Sequence, residues 1–94
     1  MEKYQLICKL LDEKKAKDIT IVNIEGLTII ADKFVICSAR SNTQVKALVD
    51  IVDEGMSKEG YEPLRVEGKQ EGRWAVLDYG DVIVHIFYEE TRKL

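Results

Sequence analysis

A chain of 94 residues, 46% hydrophobic and 33% charged, has room for one hydrophobic core and the balance of a folded domain, not of a disordered segment. With 14 Lys and Arg against 17 Asp and Glu, its net charge of −3 speaks against phosphate-backbone binding as the main activity, which shows as a dense basic patch. No apolar run approaches the ~20 residues of a membrane span, and six glycines and one proline exclude collagen-like or low-complexity chains.

Tyr4, Ile7, Leu10 and Leu11 fall at helical spacing, with Lys3, Lys9, Asp12 and Glu13 on the other side, so a first amphipathic helix is predicted over residues 2–15. The same charged residues interrupt what would have to be the apolar core of an export signal, and a cytoplasmic location is expected. After Lys17 the pattern changes to β-branched runs at 19–24, 27–30 and 34–38, broken at Glu25-Gly26, which predicts two strands joined as a hairpin. Ser41 then precedes an apolar stripe of Val45, Leu48, Val49, Val52 and Met56, with Gln44 placed for a capping box and Gly60 as the residue that ends the helix. Three further strands are predicted at 63–66, 74–79 and 81–88, with a glycine-bearing turn between Gly68 and Gly72. The near-continuous apolar stretch from Val82 to Phe87 suggests a central strand covered on both faces. The order α-β-β-α-β-β-β, followed by a turn from Glu89, predicts a single domain over 1–94. Its fold class is α/β (α+β), two-layered, with a mixed five-stranded sheet and flanking helices.

Chemistry is poorly represented. With one histidine and no Cys or His partner at ligand spacing, no metal site is expected, and Cys8 and Cys37, each among apolar neighbours, are expected to be reduced core residues. His85 shares a strand face with Ile83 and Phe87 and reads either as a hydrogen-bonded sheet histidine or as a recognition residue. A dyad of His85 with Cys37 or Ser38 is geometrically conceivable, but no G-x-S-x-G elbow accompanies it. Neither glycine-rich phosphate loop occurs. No two of the 17 acidic residues are separated by a single residue, the spacing that places two metal-binding carboxylates on one strand face. Asp78 and Asp81 bracket a Tyr79-Gly80 turn, in which Asp81 is expected to accept backbone N–H groups. Trp74, Tyr79 and Tyr88 stand beside Arg73, Asp78, Asp81 and His85, a composition shared by core packing and by protein-binding hot spots.

Three ordered segments carry a resemblance that covers nearly the whole chain. They are A-D-K-F-V-I-C-S leading into S-N-T-Q-V-K-A-L (31–48), P-L-R-V-E-G (63–68) and W-A-V-L-D-Y-G-D-V-I-V-H (74–85). Together they resemble the ribosomal silencing factor family, also called Iojap. The resemblance implies a nucleotidyltransferase-like fold without the catalytic acids, no cofactor and no enzymatic activity. It also implies that the protein binds the large ribosomal subunit through ribosomal protein fourteen, sterically blocks joining of the small subunit, and so represses translation when nutrients are short. On this reading Trp74, Asp78, Tyr79, Asp81 and His85 form the contact surface, with Arg40 and Lys46 as further contacts. On the same reading the protein is expected to act as monomer or homodimer, with no membrane and no sequence-specific nucleic acid as partner. Two departures accompany the resemblance. Ala39 stands where the family often has glycine, and the family usually continues past the E-E-x-R segment into a tail that forms a terminal helix. From these residues alone, a residual nucleotidyl- or phosphoryl-transfer enzyme and a generic ligand-binding module are the alternatives.

Overall fold

A computed structural model describes residues 1–93; Leu94, the last residue of the expected 1–94 domain, lies outside them. The elements run α1 (Lys3–Glu13), β1 (Lys17–Asn23), β2 (Lys33–Ala39), α2 (Asn42–Lys58), β3 (Arg65–Glu67), β4 (Trp74–Asp78), β5 (Val82–Tyr88) and α3 (Glu89–Arg92). The five strands form one mixed sheet in the order β1-β2-β5-β4-β3, with β2 and β5 parallel and the other neighbours antiparallel. The apolar strand β5 is the central one, as its composition predicts, but it is not covered on both faces: α1 and α2 pack on Val82, Val84 and Ile86, while His85 and Phe87 on the other side are only partly buried.

Both long helices end in the same way, though only one announces it. At α2 the Gly60 N–H bonds to the Ser57 carbonyl and the Tyr61 N–H to that of Met56, with Gly60 at φ +86°. This is the Schellman arrangement that glycine favours. At α1 the same two bonds run from Lys15 to Asp12 and from Ala16 to Leu11, and the left-handed position is taken by Lys15 at φ +59°. A lysine is no stop signal, which is why periodicity carries the helix to residue 15 and the chain ends it at Glu13. At the start of α2 the Ser41 hydroxyl accepts the Gln44 N–H at 3.0 Å, while the Gln44 side chain reaches one residue further back than a capping box requires, to the Arg40 N–H at 2.6 Å.

The helices cover one face of the sheet. Ile7, Leu10 and Leu11 of α1 and Val45, Leu48, Val49, Val52 and Met56 of α2 pack with Val35, Cys37 and Ala39 of β2, Ala75 and Leu77 of β4, and Val82, Val84 and Ile86 of β5. Gly55 lets α1 and α2 approach closely, since a Cβ there would enter the space of the Leu10 side chain. Ala39 needs no glycine: it is a buried strand residue without positive φ. Cys37 is fully buried in this core, and burial raises its thiol to about 12; Cys8 is half-buried and raised for the same reason.

The run at 27–30 is not a strand. Residues 24–32 form a loop held by its own hydrogen bonds, from Leu27 N–H to the Ile24 carbonyl, from Ile30 N–H to Thr28 Oγ1, and from Ile24 N–H to the Asp32 carbonyl. β-branched composition points to a strand, but this segment pairs with no strand of the sheet and makes only an isolated bridge between Glu25 and Thr28, and Leu27, Ile29 and Ile30 stay exposed.

Candidate functional site

Alternation along the strands sends Phe34 and Ile36 of β2, Ile83, His85 and Phe87 of β5, and Trp74, Val76 and Asp78 of β4 to the face opposite α1 and α2. Trp74 and His85 meet there. The indole N–H donates to His85 Nδ1 at 3.1 Å, the indole stacks on Phe87 with centroids 5.3 Å apart, and Phe34 approaches the imidazole edge-on at 4.8 Å. Because Nδ1 accepts, the imidazole is neutral with its proton on Nε2, and Nε2 is buried with no hydrogen-bond partner. Burial lowers the pKa of His85 below its usual value. Trp74 nevertheless remains 51% exposed, so the cluster is a platform seated on the sheet, not an extension of the core.

The expected site residues divide. Trp74, His85 and Asp78 share the open face. Asp78 accepts the Gly80 N–H at 2.8 Å and faces Arg65 at 3.4 Å. It therefore takes the turn role expected of Asp81, because a side chain caps the N–H two residues ahead of it and Asp81 comes after that N–H. Asp81 is at the rim, exposed and paired with Lys3 at 3.0 Å. Tyr79 does not join them. One residue beyond Asp78, it turns to the helix side, is 5% exposed, and has a buried hydroxyl without a partner. Burial, and then the nearby Asp53 and Glu62 carboxylates, raise its pKa. Arg40 lies in the β2–α2 turn and Lys46 on the exposed side of α2, the helix that covers the opposite face of the sheet from Trp74.

The conceivable dyad is not built. Cys37 pairs with Ile86 and faces the helices, whereas His85 faces the other way and spends Nδ1 on Trp74. Ser38 Oγ instead accepts from Arg92 at 2.8 Å. Among the described residues no three His, Cys, Asp or Glu side chains come together where they could hold a metal ion.

Two features lay outside the sequence reading. A cleft of about 520 Å³ opens on the uncovered face between the β1–β2 loop and β3. Ile24, Thr28 and Ile30 form one wall, Arg65 and Glu67 the other, and Phe34, Val76, Ile83 and His85 lie between them. Alternation around His85 signals Ile83 and Phe87; nothing local signals the loop. The second feature is Arg92 of α3, whose guanidinium bonds to the Asp18 carbonyl, Ser38 Oγ and Thr20 Oγ1 and so ties α3 to the start of β1.

The described residues thus form a sheet covered by α1 and α2 on one face, with a half-exposed aromatic cluster on the other. The family model described as "ribosomal silencing factor during starvation" matches residues 1–94, and the chain belongs to this family. It is 37% identical to the ribosomal silencing factor of Halalkalibacterium halodurans, over 97% of this chain and 78% of that protein. It is 37% identical to that of Bacillus subtilis over 86% and 69%. The maize protein named Iojap, chloroplastic, is 29% identical over 92% of this chain and 37% of its own length. A crystal structure of a Chromobacterium violaceum protein superposes with a TM-score of 0.95 at 31% identity, covering 99% of this chain and 80% of that one. One from Bacillus halodurans gives 0.90 at 34%, covering 96% and 84%. The family is named for silencing, not for a catalysed reaction, and the mixed α+β sheet is compatible with the expected nucleotidyltransferase likeness.

Proposed function

We propose that this protein represses translation by docking on ribosomal protein fourteen of the large subunit and excluding the small subunit by its bulk, as monomer or homodimer, in the cytoplasm. The observation that carries the reading is the half-exposed Trp74, held by His85 and stacked on Phe87 on an uncovered sheet face. A rigid aromatic on an open sheet face, with Asp78 at the other end of the same strand and Asp81 in the turn beyond it, has the composition of a hot spot with charged surroundings. Net negative charge favours encounter with a basic ribosomal protein over contact with ribosomal RNA phosphates. An interface of ~800 Å² per partner is enough to hold such a complex.

The test is a gradient of ribosomes formed from isolated subunits. Added protein is expected to lower the fraction of joined ribosomes and to sediment with the large subunit. An unchanged joined fraction at several-fold molar excess would overturn the reading.

A further inference from the structure

The β1–β2 loop, residues 24–32, is ordered by hydrogen bonds and yet holds three of its four large aliphatic side chains in water. Leu27 is 82% exposed, Ile30 72%, and Ile29 fully exposed. Its conformation is fixed from both ends. Asn23 Oδ1 accepts the Glu25 N–H at 3.0 Å and the Asp81 carbonyl accepts the Asp32 N–H at 2.8 Å, so the loop is anchored to the β4–β5 turn. Single exposed aliphatics are ordinary on a protein surface; three within four residues, on a fixed loop beside an apolar cleft, mark a surface that is covered in use.

We infer that the loop is the second half of the docking face: Leu27, Ile29 and Ile30 and the cleft behind them receive an apolar ridge of a basic protein partner. The inference rests on the docking function proposed above and adds to it a contact that lies outside the Trp74 cluster. Charge selects the occupant. The loop carries Glu25 and Asp32 and no Lys or Arg, and neither acid belongs to an ion pair among the described residues. A second copy docking by two-fold symmetry would bring the same patch against itself, acids against acids. An anionic lipid surface would meet the same repulsion. A basic protein supplies cations to Glu25 and Asp32 and an apolar side chain to the cleft. Continuity supports this choice, because Phe34 and His85 line the cleft and also touch the Trp74 platform, Phe34 through His85.

The experiment measures dissociation constants of the full chain for isolated ribosomal protein fourteen with the variants Leu27→Ser, Ile29→Ser and, as a reference on the platform, Trp74→Ala. Hydrogen exchange of the loop amides is followed with and without that partner. Because Leu27 and Ile29 are exposed, both serine variants are expected to melt as the parent does. They are expected to bind roughly thirtyfold more weakly, about the 2 kcal/mol of a hot-spot side chain, and the loop amides of the parent are expected to become protected in the complex. Parent-like binding by both serine variants, with binding lost in folded Trp74→Ala, would remove the loop from the site and leave the docking function standing. Failure of the parent to bind the partner would overturn both. A self-association of the parent that the serine variants abolish while partner binding persists would make the loop a contact between copies and overturn the inference.

Discussion

Trp74 is the residue on which the stability of the open face and its proposed adhesion can be separated. Replacement by alanine removes half of a tryptophan's burial, about 100 Å² at ~25 cal/mol/Å², or roughly 2.5 kcal/mol as an upper figure. The stack on Phe87 at 5.3 Å adds to the loss, and relaxation of neighbours into the space offsets part of it, since an exposed site collapses more easily than a core. The expected cost is therefore about 2–3 kcal/mol, below the ~3–5 kcal/mol of a core tryptophan. For a domain of this size that corresponds to a fall in melting temperature of roughly 10–20 °C. Trp74→Phe keeps a ring against Phe87 but loses the indole N–H that His85 Nδ1 accepts, about 1 kcal/mol, together with part of the stacked ring area. Calorimetric melting of the parent and both variants tests the ledger, and the large-subunit binding of each folded variant tests the adhesion. There Trp74→Ala is expected to lose about 2 kcal/mol or more. Melting of Trp74→Phe and Trp74→Ala at the parent temperature would refute the argument that the indole is seated by His85 and Phe87, and an alanine variant that never folds would make it a core residue.

Lys15→Gly is expected to stabilise the protein by about 0.5–1 kcal/mol, because Lys15 is exposed and holds a left-handed φ of +59° that glycine adopts without strain; denaturant titration showing no gain would contradict it. Burial depresses the pKa of His85, so the unfolded chain takes up the proton first, and stability that is complete above pH ~6.5 should decline as pH falls below it, by at most ~1.4 kcal/mol per unit. Chemical denaturation between pH 7 and 5 should show that decline in the parent and a flatter course in His85→Gln. Asp81 is half-exposed and its pair with Lys3 is a surface pair, so Asp81→Asn and Asp81→Lys should each cost less than about 1 kcal/mol of stability. On the proposed reading the lysine variant abolishes binding to the basic partner and the asparagine variant falls between; equal binding by Asp81→Lys and the parent at two salt concentrations would take Asp81 out of the site.

The fold was legible because its signals are local and repeated. Val82, Val84 and Ile86 alternate with Ile83, His85 and Phe87, and a strand apolar at both sets of positions has to lie centrally. What escaped reading depends on neighbours the sequence does not place. Leu27, Ile29 and Ile30 have strand composition, but strand formation requires a partner for the backbone, and the loop satisfies itself instead. Tyr79 illustrates a different loss. A motif taken whole groups it with Trp74 and Asp78, whereas the period of two groups it with Ala75 and Leu77, and the core follows the period. The turn bond of Asp78 was equally available in the spacing, since the capped N–H lies two residues after the acceptor.

A protein that acts by occupying space needs an adhesive face whose shape does not change on binding and enough body behind it to obstruct. Rigid side chains lose little entropy when they dock, and the Trp74 indole already has its N–H and its ring committed to His85 and Phe87 before any partner arrives. The body comes from the other face of the same sheet. Packing α1 and α2 onto it closes the core and gives the described residues extents of 32 × 30 × 20 Å. On the proposed reading the two faces are therefore not interchangeable. A change that loosens the helix layer weakens repression by unfolding the obstacle, and one on the open face weakens it by releasing an intact obstacle, so the two act on different measurements, melting temperature for the first and dissociation constant for the second.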